Sequence, residues 1–458
     1  MKRQDFLKLS ASMAGFFSLG AGELVDAAQL EEALFSGESR AKGSAVGWRT
    51  APIATVRTAI IGIGNRGQSL LEMFESMLGS NMASIVALAD LQAEKLNRGN
   101  EIISTWQKEK PAHYQGAEAW RDLIRRDDID LVIICTPWEL HGQMALAAME
   151  HGKHVASEVP ASYTLEECWQ LIETAERTGK HHILLENCCY NDEELWLMNM
   201  VEEGVFGDLT HAECAYIHDL RVMLMDETYY ENQWRIQHHV QRNGNLYTTH
   251  GLGPVSMYFG IGRGDYYSHL VSMSSKEAAL SRAVKGKNLP QAYVCGDMNT
   301  TLLKTFDGKT VMMQHDTHTG RPYSRINTLC GTGAVHQGYP SRLYIDKGPT
   351  WDWHAWSDQA QYAEYRAEYG HHFWKTLGDD ARAKSIGHGG MDFIMMWRLI
   401  HCLNKGVALD LNVYDGILWS AIGALTELSV AQDSAHVNIP DFTGGTWKTQ
   451  RKHEIMRS

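Results

Sequence analysis

The chain has 458 residues, of which 55 are acidic and 42 basic, for a formal net charge of −13 with histidines neutral. At this length two or three cores are expected rather than one, and the hydrophobic (44%) and charged (21%) fractions are those of an ordinary globular protein. The acidic balance disfavours nucleic acid and anionic membranes as partners. No interior stretch reaches the roughly 18 uncharged apolar residues of a membrane span.

In chain order, residues 1–27 read as a signal peptide. Lys2, Arg3 and Lys8 form a short basic region, residues 9–22 carry no charge, and Val25-Asp26-Ala27 places small residues where a signal peptidase reads. An amphipathic N-terminal helix is the competing reading. The run Lys2-Arg3-Gln4-Asp5-Phe6-Leu7-Lys8 is similar to the twin-arginine export signal, with Lys2 in place of the first arginine. Export to the periplasm is expected, by that route or the general secretory one. The eight cysteines include no spaced CxxC pair, and most lie in apolar runs as core thiols. Twin-arginine export moves folded proteins and would let the chain leave with a nucleotide bound. Residues 28–55, rich in Ala, Gly and Ser, are expected to be a linker with a short helix at 29–35.

From Val56 onward short apolar runs alternate with helical stretches. VRTAII, SIVALAD, LVIICTP, HVASEV and HHILLEN are separated by helices near 66–79, 91–108, 117–126, 140–151 and 164–178. That alternation predicts an α/β domain over 56–185, a doubly wound parallel sheet buried on both faces. Gly62-Ile63-Gly64-Asn65-Arg66-Gly67 follows the first strand and opens a helix. Gly62 permits the tight turn, Gly64 lets a pyrophosphate approach the backbone, and Gly67 lets the helix pack closely. The helix N-terminus offers free N–H groups to the anion. Asp90 ends the next strand and would accept hydrogen bonds from the adenosine ribose, which favours NAD over NADP. Three later strand ends carry Thr136-Pro137-Trp138-Glu139-Leu140-His141, Glu158-Val159-Pro160 and Glu186-Asn187-Cys188-Cys189-Tyr190, all expected to meet the same crevice.

Residues 186–458 are expected to form an α+β domain with a large, mostly antiparallel open sheet. Strands are predicted at 210–218, 269–275, 298–306 and 310–318, covered by helices near 192–203, 249–260 and 390–405. The open face is a candidate homodimer contact. His238-His239 and His315-x-x-His318 read as strand residues whose side chains point to opposite faces, so no metal site is expected there. The aromatic stretch 351–374 is either a carbohydrate-stacking surface, an oligomer contact or a surface helix.

These strand ends resemble the Gfo/Idh/MocA sugar oxidoreductases. Most of that family carries Glu-Lys-Pro with a catalytic lysine, whereas this chain has Glu158-Val159-Pro160. A narrower resemblance, to the NAD-dependent glycosidases of glycoside hydrolase family 109, covers residues from about 56 to the end. It rests on Gly64-Asn65-Arg66-Gly67-Gln68, Pro137-Trp138-Glu139, His218-Asp219-Leu220-Arg221, Thr249-His250-Gly251-Leu252-Gly253-Pro254, His315-Asp316-Thr317 and Gly387-His388-Gly389-Gly390-Met391-Asp392, among other stretches. The resemblance implies hydrolysis of terminal α-linked N-acetylgalactosamine from a glycan or glycoside. The implied route is oxidation at C3, elimination across C1–C2, addition of water and return of the hydride, with no net redox change. The runner-up is a dehydrogenase turning over a free sugar.

By the same resemblance, His250 and Tyr190 transfer protons, in an order the sequence leaves open. Tyr216, Arg235, Tyr247, Thr248, Thr249, His250 and Tyr323 line the sugar site. Gly62, Gly64, Asn65, Arg66, Gly67, Asp90, Trp138, Glu139, Leu140, His141, Glu158, Val159 and Asn187 contact NAD.

Overall fold

The computed structural model describes residues 39–456 except 79 and 385–387. The expected signal peptide and the short helix at 29–35 lie outside the described residues.

Six parallel strands form the first sheet: β1 (Val56–Ile61), β2 (Ala83–Asp90), β3 (Ala112–Gln115), β4 (Leu131–Ile134), β5 (His154–Ser157) and β6 (His182–Leu184), in the order β3-β2-β1-β4-β5-β6. Every residue of β4 and β5 is buried, as expected of strands with helices on both faces. The crossovers are α1 (Asn65–Leu78), α2 (Ala93–Ser104), α3 (Trp120–Ile124), α4 (Trp138–Glu150) and α5 (Leu165–Thr178). Helix α5 shows why its sequence stops where it does. The Thr164 hydroxyl accepts from the Glu167 N–H at its start, Gly179 ends it at φ 67°, and Leu165, Cys168, Trp169, Ile172 and Ala175 make one buried stripe.

The second sheet has eight strands: β7 (Leu209–Ile217), β8 (Tyr267–Ser274), β9 (Asn299–Thr305), β10 (Thr310–Asp316), β11 (Thr328–Gly331), β12 (Ala334–Gln337), β13 (Arg342–Ile345) and β14 (Val437–Asn438). Their order is β13-β12-β11-β7-β10-β9-β8-β14, antiparallel except for the β7–β10 pair. Burial alternates along β9, with Thr301 and Leu303 inside and Leu302 and Lys304 outside. One face is thus covered while the other shows Met273, Leu302 and Phe306 to solvent.

The helices of this half are α6 (Asp192–Glu202), α7 (Arg221–Met225), α8 (Trp234–Gln241), α9 (Thr249–Tyr258), α10 (Ala279–Ala283), α11 (Gln359–Glu368), α12 (His372–Ala383), α13 (Met391–Lys405) and α14 (Val413–Ala431). Two expectations are corrected here. His238 and His239 lie on α8, not on a strand, so the argument that strand geometry separates them does not apply. The described part of the expected linker, 39–55, is packed. Arg40 pairs with Glu173 and Glu166, the Ala45 N–H donates to the Tyr414 hydroxyl, and the Ile53 N–H donates to the Leu403 carbonyl. Among the small residues that read as linker composition, Gly43 packs so closely that a β-carbon there would lie 2.2 Å from Cγ2 of Thr446.

Helix α14 ties the halves together. It begins in a capping box between Asn412 and Asp415. Its Ser420 hydroxyl accepts from the Ala161 N–H, and its Ser429 hydroxyl accepts from the Ser272 N–H of β8. A β-carbon at Gly416 would lie 2.7 Å from that of Leu184 on β6. Gly416→Val should therefore force the helix off the sheet and destabilise the protein by about 1–3 kcal/mol. Thermal unfolding measures this, and an unchanged midpoint would contradict the packing.

Candidate active site and nucleotide cradle

The glycine turn fits a dinucleotide. Gly62 sits at φ 90° with room for no β-carbon, because one would lie 2.7 Å from the Cys135 carbonyl oxygen. A β-carbon on Gly67 would lie 2.1 Å from the Gly62 carbonyl oxygen, so only glycine lets α1 start this close. Gly64 has nothing within 4 Å, which leaves the approach open for a pyrophosphate. Asp90 is fixed at the end of β2 by the Ile63 N–H (2.7 Å) and the Gln92 N–H (3.0 Å), with further acceptor capacity for ribose hydroxyls. Asn65 donates to the Tyr229 carbonyl (3.3 Å), and Glu231 accepts from Gln92 and Lys95. The second half therefore reaches over this end of the cradle.

At the other end Arg66 is shared. Its Nε donates to Glu158 (2.6 Å) and its terminal nitrogens donate to both oxygens of Asp392 (2.9 and 2.8 Å) at the start of α13. Asn187 and His388 also reach Asp392, at 2.7 and 2.6 Å. Burial opposes ionisation of Asp392, but Arg66 first and His388 second hold its carboxyl far below the usual range. Burial likewise works against the Arg66 charge, and Glu158 and Asp392 outweigh it.

The remaining strand-end residues divide. Trp138 is 4% exposed and forms the floor of an aromatic wall. Glu139 lies 2.9 Å from Nε2 of His238, while Leu140 is partly buried and Val159 buried. His141 departs from its expected part in NAD contact. Its two ring nitrogens lie 2.7 Å from the Pro160 and Thr136 carbonyl oxygens, and it is 1% exposed. It braces two strand-end turns and has no nitrogen left for a nucleotide.

His250 stands near the start of α9. Glycines allow this: β-carbons on Gly251 and Gly253 would lie 2.9 Å from the Ala215 nitrogen of β7 and 3.0 Å from Cys189 Sγ. The helix therefore rests directly on β7 and on the turn after β6. Nδ1 of His250 is 2.8 and 2.9 Å from the two oxygens of Glu186, a fully buried carboxylate just past β6. Burial raises the cost of ionising Glu186, but the charge and hydrogen bond of His250 hold it below the ordinary range. With Nδ1 committed, Nε2 is the nitrogen left, 3.4 Å from the Tyr247 hydroxyl.

The sugar-site residues converge around that nitrogen. Tyr216 packs against Tyr247 at 4.3 Å with the rings tilted by 31°, and meets His250 edge-on at 5.6 Å. The Arg235 guanidinium lies 4.9 Å from the ring centres of both Trp138 and Tyr247. Tyr323 is 39% exposed at the rim and packs edge-on against His218 at 5.1 Å. Thr248 is buried, its hydroxyl donating to the Trp419 carbonyl, and Thr249 is buried beside it. Burial pushes the Tyr216 and Tyr247 hydroxyls up, so both stay protonated and act as donors.

Tyr190 is not brought to this group. It is 2% exposed, burial pushes its hydroxyl well above the ordinary range, and its charged neighbours are Asp410 and Arg398. The four-residue turn 187–190 sends Asn187 to Asp392 at the start of α13 and Tyr190 toward Arg398 further along the same helix, away from His250. Glu186, Asp392 and His388 are the site residues that sequence reasoning left without a role. Glu186 and Asp392 stood inside quoted motifs, but their partners lie 64 and 326 residues away.

The Asp392 carboxyl is depressed in the folded state. Its contribution to stability is therefore complete above the unfolded value of about 3.9 and is lost as pH falls through the lower folded value. Asp392→Asn should cost up to about 3–5 kcal/mol at pH 7, since it strands a largely buried guanidinium, less whatever Glu158 retains. Melting curves should show the gap from wild type constant between about pH 5 and 8 and shrinking below about 4. A gap independent of pH would contradict the assignment.

Comparison with known proteins agrees with both halves. Residues 56–185 match the oxidoreductase family NAD-binding Rossmann fold, and residues 190–449 match the glycosyl hydrolase 109 C-terminal domain. A glycosyl hydrolase family 109 protein of Shewanella pealeana is 43% identical over all of this chain and 99% of its own. An alpha-N-acetylgalactosaminidase of Shewanella oneidensis is 43% identical over 97% of both chains. The solved levoglucosan dehydrogenase in complex with NADH shares the fold at a TM-score of 0.64 and 20% identity, over 84% of this chain and 99% of that one. The chain therefore belongs to glycosyl hydrolase family 109, with an NAD-binding Rossmann domain in front of the family's C-terminal domain.

Proposed function

We propose that this enzyme releases terminal α-linked N-acetylgalactosamine from glycans or glycosides by redox-assisted elimination and hydration. The observation that carries the reading is the imidazole of His250, braced on Nδ1 by Glu186 and presenting Nε2 to Tyr247, against which Tyr216 and Arg235 pack. A relative 43% identical over 97% of both chains bears the name of this activity, which supports the choice of sugar.

Bound NAD supplies the acceptor, and later the donor, for the hydride at C3 of the sugar. Loss of that hydride together with the C3 hydroxyl proton, which passes to a base and comes back with the hydride at the end, leaves a ketone that acidifies the C2–H. With Nδ1 committed to Glu186, the neutral imidazole of His250 keeps its lone pair on Nε2 and is suited to take that proton. As the C2–H electrons form the C1–C2 double bond, the C1–O bond breaks and its pair leaves with the aglycone oxygen, which gains a proton. Water then adds hydroxyl to C1 and hydrogen to C2, and the C3 hydride is returned. The tyrosine hydroxyls, held protonated, orient the sugar and stabilise developing negative charge on its oxygen. Two further readings belong here. The uncovered apolar sheet face at Met273, Leu302 and Phe306 supports a homodimer. The basic and apolar N-terminal segment supports export to the periplasm.

The test uses aryl α- and β-glycosides of N-acetylgalactosamine, galactose and N-acetylglucosamine, with and without added NAD. Aglycone release from the α-N-acetylgalactosaminide without net NADH is expected, and His250→Ala should slow it by about 10²–10⁴-fold. Failure on every glycoside, or accumulation of NADH, would overturn the reading.

A further inference from the structure

Behind the aromatic wall, three chain segments bring metal-binding side chains to one point. His239 comes from α8, Cys295 from the stretch before β9, and His318 from just past β10. One ligand atom from each lies within 4.8 Å of the other two, and all three residues are buried. The main chain sets this up. The Val294 and Cys295 N–H groups donate to the His239 carbonyl (3.2 and 3.1 Å), which locks the thiol beside the imidazole. The His318 N–H donates to Asp316 (3.1 Å), fixing its own ring over the same point. Nε2 of His318 is then 2.8 Å from Nδ1 of His239, while its Nδ1 faces Asp297 at 3.5 Å.

We propose that His239, Cys295 and His318 form a three-ligand site for zinc or a similar borderline-soft divalent cation, its fourth position completed by water, with Asp297 as the outer carboxylate that orients His318. Two imidazoles and a thiolate are a zinc donor set, and a carboxylate on the far nitrogen of a ligating histidine is its usual support. Tetrahedral zinc with bonds of about 2.0–2.3 Å separates its ligand atoms by roughly 3.3–3.7 Å. The observed spacings reach that by shifts of about an ångström or less. The rival is a dry cluster in which the two imidazoles share one proton. In either arrangement Nε2 of His239 has no hydrogen-bond partner among the described residues and Nδ1 of His318 has only Asp297 at 3.5 Å, so the two differ in what joins the facing nitrogens and the thiol. A cation would engage both facing lone pairs and the thiolate together.

The consequence would be mechanical. Arg235 lies one helical turn before His239 on α8, so the cation would pin the helix that aims this guanidinium at Trp138 and Tyr247. His315 of β10, which lies 6.4 Å from the Tyr216 ring in a stacked orientation, belongs to the same pinned layer. A second group, Glu186, Cys188 and His250, has its ligand atoms equally close. There the carboxylate and the imidazole already satisfy one another, so it serves as the control.

The full chain with its bound NAD is stripped with a chelator, reloaded with zinc or cobalt(II), and freed of excess metal. Elemental analysis should find about one metal per chain. The cobalt form should show a thiolate charge-transfer band, and zinc should raise the melting midpoint. Cys295→Ser should abolish the band and the zinc-dependent rise, Asp297→Asn should weaken metal binding about 10–100-fold, and Cys188→Ser should change neither. Should Cys295→Ser fail to fold, His318→Gln is read in the same way. Absence of metal above trace, or a band that survives Cys295→Ser and vanishes in Cys188→Ser, would overturn the site.

Discussion

The contact between the buried Glu186 carboxylate and Nδ1 of His250 is the constraint that the rest of the site obeys. A carboxylate with no solvent exposure is tolerable only opposite a positive or donating partner. His250 is that partner, and the bond leaves the imidazole one free nitrogen and one orientation. Everything near it serves the approach. β6 ends two residues before Glu186, and Gly251 and Gly253 let α9 rest on β7 and on the turn after β6 with almost no gap. Tyr216 and Tyr247 then flank the ring on the side Nε2 faces.

Neither half of the chain holds a complete site. Arg66 and Glu158 belong to the nucleotide-binding half, while Asp392, which takes two of the guanidinium's hydrogen bonds, opens α13 in the other. Asn187, at the junction, reaches the same carboxylate. The strand-end loops are thus held in register with the pocket by one buried charge cluster. Helix α14 and residues 39–55 hold the two sheets to it from behind. A hydride transfer needs its donor and acceptor fixed to a fraction of an ångström, and a charge cluster crossing the boundary between sheets is a rigid way to set that distance.

The Rossmann half was legible because its signals are local. Gly62, Gly64 and Gly67 follow a strand and open a helix, and Asp90 ends the next strand. The long strands and helices of the second half were also visible in their periodicity. What escaped was of three kinds. β11, β12 and β13 have four residues each, too few for alternation to register. His238 and His239 looked like strand residues, but α8 begins there after two residues with positive φ, Asn232 and Gln233, which no hydrophobic period announces. The roles of Glu186, His141 and Tyr190 depended on direction. A polar residue at a strand end can face the crevice, brace a turn or point to the far side, and only the three-dimensional path of the turn decides among them.

The central claim is that an imidazole held by Glu186 moves a proton at a sugar carbon rather than assisting direct displacement at C1. The most direct measurement is hydrolysis in heavy water, followed by mass and NMR analysis of the released sugar. The account predicts solvent deuterium on C2, with release slowed in Glu186→Gln. A sugar carrying no deuterium at C2, released at an undiminished rate by that variant, would contradict it.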